Sequence, residues 1–240
     1  MNLKTSESIL LWNWNIGMAQ KLRFPFAGAE KINANYSQAW QDIFILSMLG
    51  GKRNGHYLEI GGHVPISNNN TYMLCKEFGW SGNTVEYDPS HFPHWLASRP
   101  DSNLTIADAL KLDYENAMLQ WFGPSVSRID YLQLDIDPSF NTLCVLKKLP
   151  LEKYRFSVIT FETDVYAGDV RARDESRAIL SSLGYELVAR DVCVYFGPAG
   201  PDPIPFEDWW VDPLAIDAAM IAMLKQDNFT KRLPQMVLFN

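Results

Sequence analysis

The stretch "LEIGGH" places two glycines directly after an apolar run that contains an acidic residue. The three residues of interest are Glu59, Gly61 and Gly62. Glycine lets the backbone approach a bound molecule and adopt turns that other residues avoid. A carboxylate accepts hydrogen bonds from ammonium or hydroxyl groups. The stretch therefore fits either the amino-acid end of a bound cofactor or a plain turn after a strand.

A second acidic residue, Glu86 in "TVEYDP", follows about twenty-five residues later at the end of another apolar run. A carboxylate at that place and spacing suits a ribose diol, because it can accept from both hydroxyls. A third run ends in "ADAL", so Asp108 either contacts an adenine amino group or caps the helix that follows.

The phosphate-binding motifs of nucleotide enzymes are missing. His63, Val64 and Pro65 follow the glycines where GxGxxG would continue, and no GxxxxGK[ST] motif occurs. This argues against an NAD-dependent dehydrogenase and indicates a nucleoside ligand without a diphosphate. S-adenosylmethionine fits that description, and we expect it to be the cofactor.

Two pairs of acids follow the next two apolar runs: Asp135 with Asp137, and Glu162 with Asp164. Ends of adjacent parallel strands lie side by side, and clustered carboxylates repel one another unless protonated, solvated or neutralised by a cation. We expect either a divalent metal such as Mg²⁺ bound by all four, or a general base at Asp137 with Glu162 accepting a hydrogen bond from substrate. The third alternative is four strand-end acids bound to loop amides.

Histidines and tryptophans supply further candidates. His63 is expected to face the acceptor of a transfer reaction, whereas His91 and His94 are expected at the surface. The stretch "EDWW" at 207–210 is expected either to form a stacking wall for the acceptor or to lie in the core or a dimer contact.

These residues need a scaffold, and apolar periodicity predicts one. Strands are predicted at 56–60, 82–88, 103–109, 128–137 and 154–164. Helices are predicted at 36–49, 69–79, 91–99, 112–122, 140–149, 170–184 and 214–226. The stretch 185–197 is predicted to form a hairpin of two short strands.

Alternation of strand and helix predicts an α/β fold, a doubly wound and mostly parallel sheet with helices on both faces. The hairpin would supply its C-terminal antiparallel strand. We expect an N-terminal cap at 1–35, the α/β domain at 36–200, and a C-terminal extension packed on it at 201–240.

The chain has 240 residues, 47% hydrophobic and 20% charged, with a net charge of −7 and a pI near 5.1. This composition supports a large core and gives no basic surface for nucleic acid. Three cysteines without a CxxC pair indicate free thiols, and no signal peptide or membrane span is recognised. We expect a cytoplasmic protein, in which the aromatic-rich segment 9–26 forms either a lid or a contact with a membrane surface or a second copy.

Four segments resemble the FkbM family of S-adenosylmethionine-dependent methyltransferases, in the same order along about 130 residues. They are "SQAWQD" (37–42), residues 55–89, "IDYLQLDIDP" (129–138) and "VITFETDVY" (158–166). The resemblance implies a class I methyltransferase fold and, usually, methylation of a hydroxyl oxygen on a small molecule or carbohydrate. The matching cofactor positions are Gln38, Asp42, Glu59, Gly61, Gly62, Glu86 and Asp108.

The match has two departures from the family pattern. Many relatives have an acid–Gly–Ala/Asn–x–Gly turn where this chain has Glu-Ile-Gly-Gly-His, and Asp-Val-Glu-Gly where this chain has Asp-Ile-Asp-Pro. The altered fourth strand leaves a catalytically inactive binding protein as the alternative to an enzyme. The Asp-x-Asp at 135–137 also resembles the magnesium-using macrocin-type sugar O-methyltransferases.

Overall fold

The computed structural model describes residues 16–195, 202–226 and 232–240. One sheet of seven strands forms its centre. The strands are β1 (His56–Ile60), β2 (Ser81–Glu86), β3 (Asn103–Ile106), β4 (Arg128–Leu134), β5 (Arg155–Glu162), β6 (Glu186–Val194) and β7 (Ile204–Val211).

Helices connect and cover these strands. They are α1 (Ile16–Ala19), α2 (Gln41–Met48), α3 (Tyr72–Phe78), α4 (Phe92–Ser98), α5 (Tyr114–Phe122), α6 (Ser139–Lys148), α7 (Arg171–Ser182), α8 (Ala218–Lys225) and α9 (Pro234–Leu238). No helix in these described ranges combines the length and apolarity needed to cross a bilayer.

The strand order is β3-β2-β1-β4-β5-β7-β6. The chain builds outward from β1 to β3, then returns and builds outward from β4 in the other direction. The first five strands are parallel, and β7 runs antiparallel to both β5 and β6. This confirms the doubly wound, mostly parallel fold, whose ligand crevice lies at the carboxyl ends of β1 and β4.

The predicted hairpin at 185–197 is wrong. Residues 186–194 form the single strand β6, and residues 196–197 lie outside the described residues. In place of a turn, Asp191 has a φ of +51° within an irregular register, which is a bulge inside the strand. The antiparallel strand is β7, from the segment expected to be an extension.

The helix predicted at 36–49 begins only at Gln41. The preceding loop closes around Asp42, whose carboxylate accepts hydrogen bonds from Ser37 Oγ at 2.7 Å and from the Tyr36 amide at 3.0 Å. Trp40 then has a φ of +63°, which a helix does not allow. The loop geometry therefore delays the start of the helix by one turn.

Apolar side chains cover both faces of the sheet. On one face α2 contributes Phe44, whose ring stacks on that of Trp209 at 4.3 Å between centroids. On the other face Trp210 packs among the apolar side chains of β4 and β5. Both tryptophans of β7 are fully buried, and this alternation holds β7 between the two helical layers.

Two buried acids, Asp208 within β7 and Asp212 just after its end, are paired with arginine. Asp208 accepts from Arg177 at 2.7 Å, and Asp212 accepts from Arg128 at 2.6 Å and from Arg155 at 2.8 Å. Charged groups are stable in a protein interior when they are paired and hydrogen-bonded. These pairs fasten β7 to its neighbours at the middle and at its carboxyl end.

Candidate active site

The glycine turn joins the ends of three strands. Gly61 has a φ of +90°, and a Cβ there would lie 1.7 Å from the carbonyl oxygen of Asp135. A Cβ on Gly62 would lie 2.2 Å from Cγ2 of Thr84. Both glycines are therefore required by the packing of β1 against β2 and β4, whether or not a ligand binds.

Glu86 holds this turn in place from the end of β2. Its Oε2 accepts the amide of His63 at 2.6 Å, and its Oε1 accepts the amide of Asp88 at 2.8 Å. Each carboxylate oxygen has a second lone pair that remains free to accept from a ligand. Glu86 is thus fixed in orientation beside the glycine turn.

Glu59 is fully buried two positions before the turn. Its Oε2 accepts from Thr84 at 2.8 Å and Thr71 at 3.1 Å, while its Oε1 has no partner among the described residues. Burial raises the pKa of Glu59, and the nearby guanidinium of Arg99 opposes that rise.

Arg99 is the cation of this network and is itself buried. It donates to Tyr57 OH at 3.1 Å, to Asn69 Oδ1 at 2.9 Å and to Thr71 Oγ1 at 3.1 Å. The end of α4 is thereby tied to the loop after the glycine turn. Nothing in the sequence pattern distinguishes Arg99 from a surface arginine that follows an amphipathic helix.

Asp108 caps the short turn that follows β3, which is the second of the two roles considered for it. Its carboxylate accepts from the Leu110 amide at 3.0 Å and pairs with Lys111 at 3.0 Å. The Lys111 hydrogen bond lowers the pKa of Asp108. Gln38 is half-buried in the loop before α2.

The histidines lie on the β2 side of the crevice. The His63 ring is exposed and meets the His91 ring edge-on at 4.7 Å, while the His63 carbonyl accepts from Trp95 Nε1 at 2.8 Å. His94 is exposed. This places His63 beside the loop after β2, at the opposite side of the crevice from β5.

Three acids form a row across β4, β5 and β7. Leu134 of β4 pairs with Phe161 of β5. The residues that follow them, Asp135 and Glu162, are therefore neighbours on one face of the sheet. Glu162 also pairs with Glu207 of β7. Asp135 and Glu162 are half-buried and Glu207 is buried. From sequence, Glu207 is predicted only as part of "EDWW", and its alternation with Trp209 is the signal that could assign it to this row.

Proton affinities in this row are raised. Burial, with help from Asp164, Asp137 and Glu59, raises the pKa of Asp135 to about 7. Burial also raises the pKa of Glu207 to about 8, although Trp209 Nε1 donates to it at 2.5 Å. The row therefore contains carboxyl groups that exchange protons near neutral pH.

Asp164 completes the group at the end of β5. It is buried with a φ of +46°, and its Oδ1 lacks a partner in the described part of the chain. Burial raises its pKa, a hydrogen bond with Tyr166 lowers it, and Asp137 raises it. Asp137 itself is exposed.

The metal site expected at Asp135, Asp137, Glu162 and Asp164 is not supported. Within residues 16–195, 202–226 and 232–240, no three His, Cys, Asp or Glu side chains converge as metal ligands. The acids are distributed along the edge of three strands, so their oxygens do not surround one point.

The stacking wall expected from "EDWW" is also not formed, because Trp209 and Trp210 are both fully buried in the core. A separate cavity of about 370 Å³ lies at the other edge of the sheet, at the amino ends of β2 and β3, between Tyr72, Trp80 and Asn103. The acids described above lie at the carboxyl ends.

Comparison with known proteins adds evidence on the fold. No family model and no curated protein matches the chain. An O-methyltransferase from Bacillus cereus in complex with SAH is 16% identical over 72% of this chain and 79% of that chain, with a TM-score of 0.50. The chain has the class I methyltransferase fold.

Two further solved structures are similar at lower scores. Fibrillarin from Aeropyrum pernix with natively bound S-adenosyl-L-methionine is 14% identical over 67% of each chain, with a TM-score of 0.43. A TehB-like SAM-dependent methyltransferase from Corynebacterium glutamicum is 13% identical over 72% of this chain and 87% of that chain, with a TM-score of 0.42. Membership of the FkbM family stays a prediction.

Proposed function

We propose that this chain is an S-adenosylmethionine-dependent methyltransferase that methylates a hydroxyl oxygen of a small molecule or carbohydrate. The observation that carries the proposal is Glu86, a carboxylate fixed at the carboxyl end of β2 beside the glycine turn. In a doubly wound sheet this is where a ribose is recognised. Membership of the FkbM family, as the four matching segments imply, is part of the same proposal.

The residues around the turn fit such a cofactor. Glu86 would accept from the ribose hydroxyls, and Oε1 of Glu59, which has no partner among the described residues, is a buried acceptor two residues before the turn. Tyr87 follows Glu86 and is 74% exposed, so its ring is available to cover an adenine. Gln38 and Asp108 remain proposed cofactor contacts, as do the backbones of Gly61 and Gly62.

When bound, S-adenosylmethionine supplies a methyl group already activated on a sulfonium. The chain must position the acceptor and take up its proton. Asp135 suits the proton transfer, because its pKa of about 7 leaves much of it ionised at neutral pH yet basic enough to accept. Asp137, Glu162 and His63 are the other proposed catalytic residues, with Glu162 accepting a hydrogen bond from the acceptor.

Calorimetry with S-adenosylmethionine, S-adenosylhomocysteine and NAD in parallel tests the proposal. The first two should bind and NAD should not. Glu86→Ala should weaken binding of S-adenosylhomocysteine by about 1–3 kcal/mol, the scale of a lost hydrogen bond to a charged group.

Glu152→Ala is the matched control, because Glu152 is exposed and far along the chain from the turn. Because Glu86 also accepts two backbone amides, the unfolding of each variant must be measured beside its affinity. Unchanged affinity in folded Glu86→Ala, or tighter binding of NAD, would contradict the proposal.

A further inference from the structure

In the described residues, the acids at the carboxyl ends of β4 and β5, and the acid opposite Glu162 in β7, lack positively charged partners. We call this group the acidic edge; it consists of Asp135, Asp137, Glu162, Asp164 and Glu207. Of the ion pairs formed inside the described ranges, none includes a member of it. Nearby, Asp208 in β7 and Asp212, one residue after the end of β7, are each paired with arginine. The acidic edge contrasts with these two buried acids, because none of its members has such a cationic partner in the described residues.

Two buried oxygens at this edge also lack hydrogen-bond donors. Asp164 is only 4% exposed and Gln133 6% exposed, yet neither Asp164 Oδ1 nor Gln133 Oε1 has a partner among the described residues. The Gln133 side-chain amide points towards this edge, because its Nε2 donates to the Gly61 carbonyl at 3.3 Å. Gly61 lies beside Asp135 at the carboxyl ends of β1 and β4. Unsatisfied buried acceptors are rare, and these two lie at the same edge of the sheet as the acids without cationic partners.

A point cation does not match this arrangement. Adjacent strands lie about 4.8 Å apart, so a row across three strands extends over about 10 Å, and the side chains do not converge as metal ligands in the described structure. A positively charged group with several N–H donors, carried on a larger molecule, matches both the width of the edge and its missing donors.

We propose that the methyl acceptor is a cationic amino alcohol, such as an amino sugar, whose ammonium group is bound by the acidic edge. This inference rests on the proposed methyltransferase function and names its substrate class. The proposed cofactor contacts on the sheet lie at β1, at β2 and just after β3, whereas Glu162 and Glu207 lie two and three strands from β1 in the other direction. The acidic edge is thus placed to serve the acceptor.

The proposed reaction balances without a further reagent. The acceptor hydroxyl gives its proton to the Asp135 carboxylate while its oxygen forms a bond to the methyl carbon. The bond from that carbon to sulfur breaks, and its electron pair stays on sulfur as a neutral thioether. The ammonium group is unchanged; Glu162 and Asp164 hold it and thereby orient the hydroxyl.

Calorimetry on protein saturated with S-adenosylhomocysteine tests the inference with matched probes. Glucosamine is compared with N-acetylglucosamine, and 2-aminocyclohexanol with 1,2-cyclohexanediol, so that each pair differs in its positive charge. The cationic member should bind at least about tenfold more tightly, as expected for charge-assisted hydrogen bonds.

Glu162→Gln and Asp164→Asn should each remove that difference while leaving affinity for S-adenosylhomocysteine unchanged. Asparagine tolerates the left-handed backbone at 164. If Asp164→Asn nevertheless fails to fold, Glu162→Gln makes the same test at a half-buried position. Glu152→Gln, exposed and remote in sequence, should keep the full difference.

Equal binding of both members of each pair, or binding of neither, would overturn the inference while binding of S-adenosylhomocysteine still upheld the methyltransferase proposal. Failure of S-adenosylhomocysteine itself to bind would instead remove the proposed function on which the inference rests.

Discussion

Glu162 on β5 lies directly opposite Glu207 on β7, so two carboxyl groups occupy one cross-strand pair at the carboxyl edge of the sheet. Like charges in that position destabilise a sheet. Burial raises the pKa of Glu207 to about 8, and a proton on Glu207 removes the repulsion at neutral pH. The pair is therefore a proton-holding element of the fold as well as part of the candidate site.

Folding stability should fall as pH rises, in part because of Glu207. Its pKa is about 8 in the fold against 4.5 ordinarily, so the folded state holds a proton that the unfolded state has released. The contribution is fully present below pH 4.5 and is lost as pH rises through about 8, an effect on the order of a few kcal/mol for a fully buried carboxyl group. Urea unfolding from pH 4.5 to 9 measures it.

Glu207→Gln should flatten this pH dependence, because glutamine is neutral at every pH and still accepts from Trp209 Nε1. Asp135 and Asp42, with pKa values of about 7 and about 6, will keep a residual slope of the same sign. Glu152→Gln, an exposed position, should leave the wild-type curve unchanged. An equal slope in both variants would exclude Glu207 as the cause.

Turnover should depend on ionised Asp135. Because its pKa is about 7 in the free protein, kcat/KM should rise with pH up to about 7 and level off above it. Asp135→Asn should reduce kcat/KM by about 10²–10⁴-fold, as expected for loss of a general base, with affinity for S-adenosylhomocysteine kept. A variant that keeps the wild-type rate and pH profile would leave positioning alone as the source of catalysis.

Gly62→Ala should destabilise the fold by about 1–3 kcal/mol through overpacking, because the new Cβ would lie 2.2 Å from Thr84 Cγ2. Thr84→Ser removes that methyl and keeps the hydroxyl that Glu59 accepts at 2.8 Å. The double variant should therefore be more stable than the two single changes added together. Strict additivity in denaturant unfolding would mean that the glycine is needed for another reason.

Arg99→Met should cost about 3–5 kcal/mol, because removing one partner of a buried charged network leaves the others uncompensated. The groups left behind are Glu59, Thr71 and Tyr57, all buried. Arg190→Met is the control, since Arg190 is exposed and surface changes usually stay within about 0.5 kcal/mol. Comparable losses in thermal unfolding would show that Arg99 is not a structural centre.

The alternating part of the fold was predictable because each parallel strand is an apolar run that ends in Gly, Asp or Glu. The strand predicted at 56–60 was confirmed with the same bounds. β7 was missed, because Pro203 and Pro205 and two acids indicated a loop. Its stability comes from partners far along the chain, such as the Arg177–Asp208 pair, which no local pattern reports.

The site was partly predictable for the same reason. Strand ends locate Glu86, Asp135 and Glu162 at one edge of the sheet, and the structure places them there. Whether the four acids converge on a metal ion was not predictable from sequence, since that depends on the direction of each side chain. Glu207 was missed as a member of the acid row because its partner Glu162 is forty-five positions earlier and only the antiparallel register brings them together.

The position of β7 between β5 and β6 also governs the order in which the molecule is completed. In the described residues β6 forms its ladder with β7 alone, although it precedes β7 in the chain. During synthesis on the ribosome, β6 therefore emerges before its ladder partner has been made. One edge of β5 also stays unpaired until residues 204–211 are made. Exposed strand edges attract other chains, so a nascent copy is prone to aggregate in this interval, and a stop codon before residue 204 would make the open edge permanent.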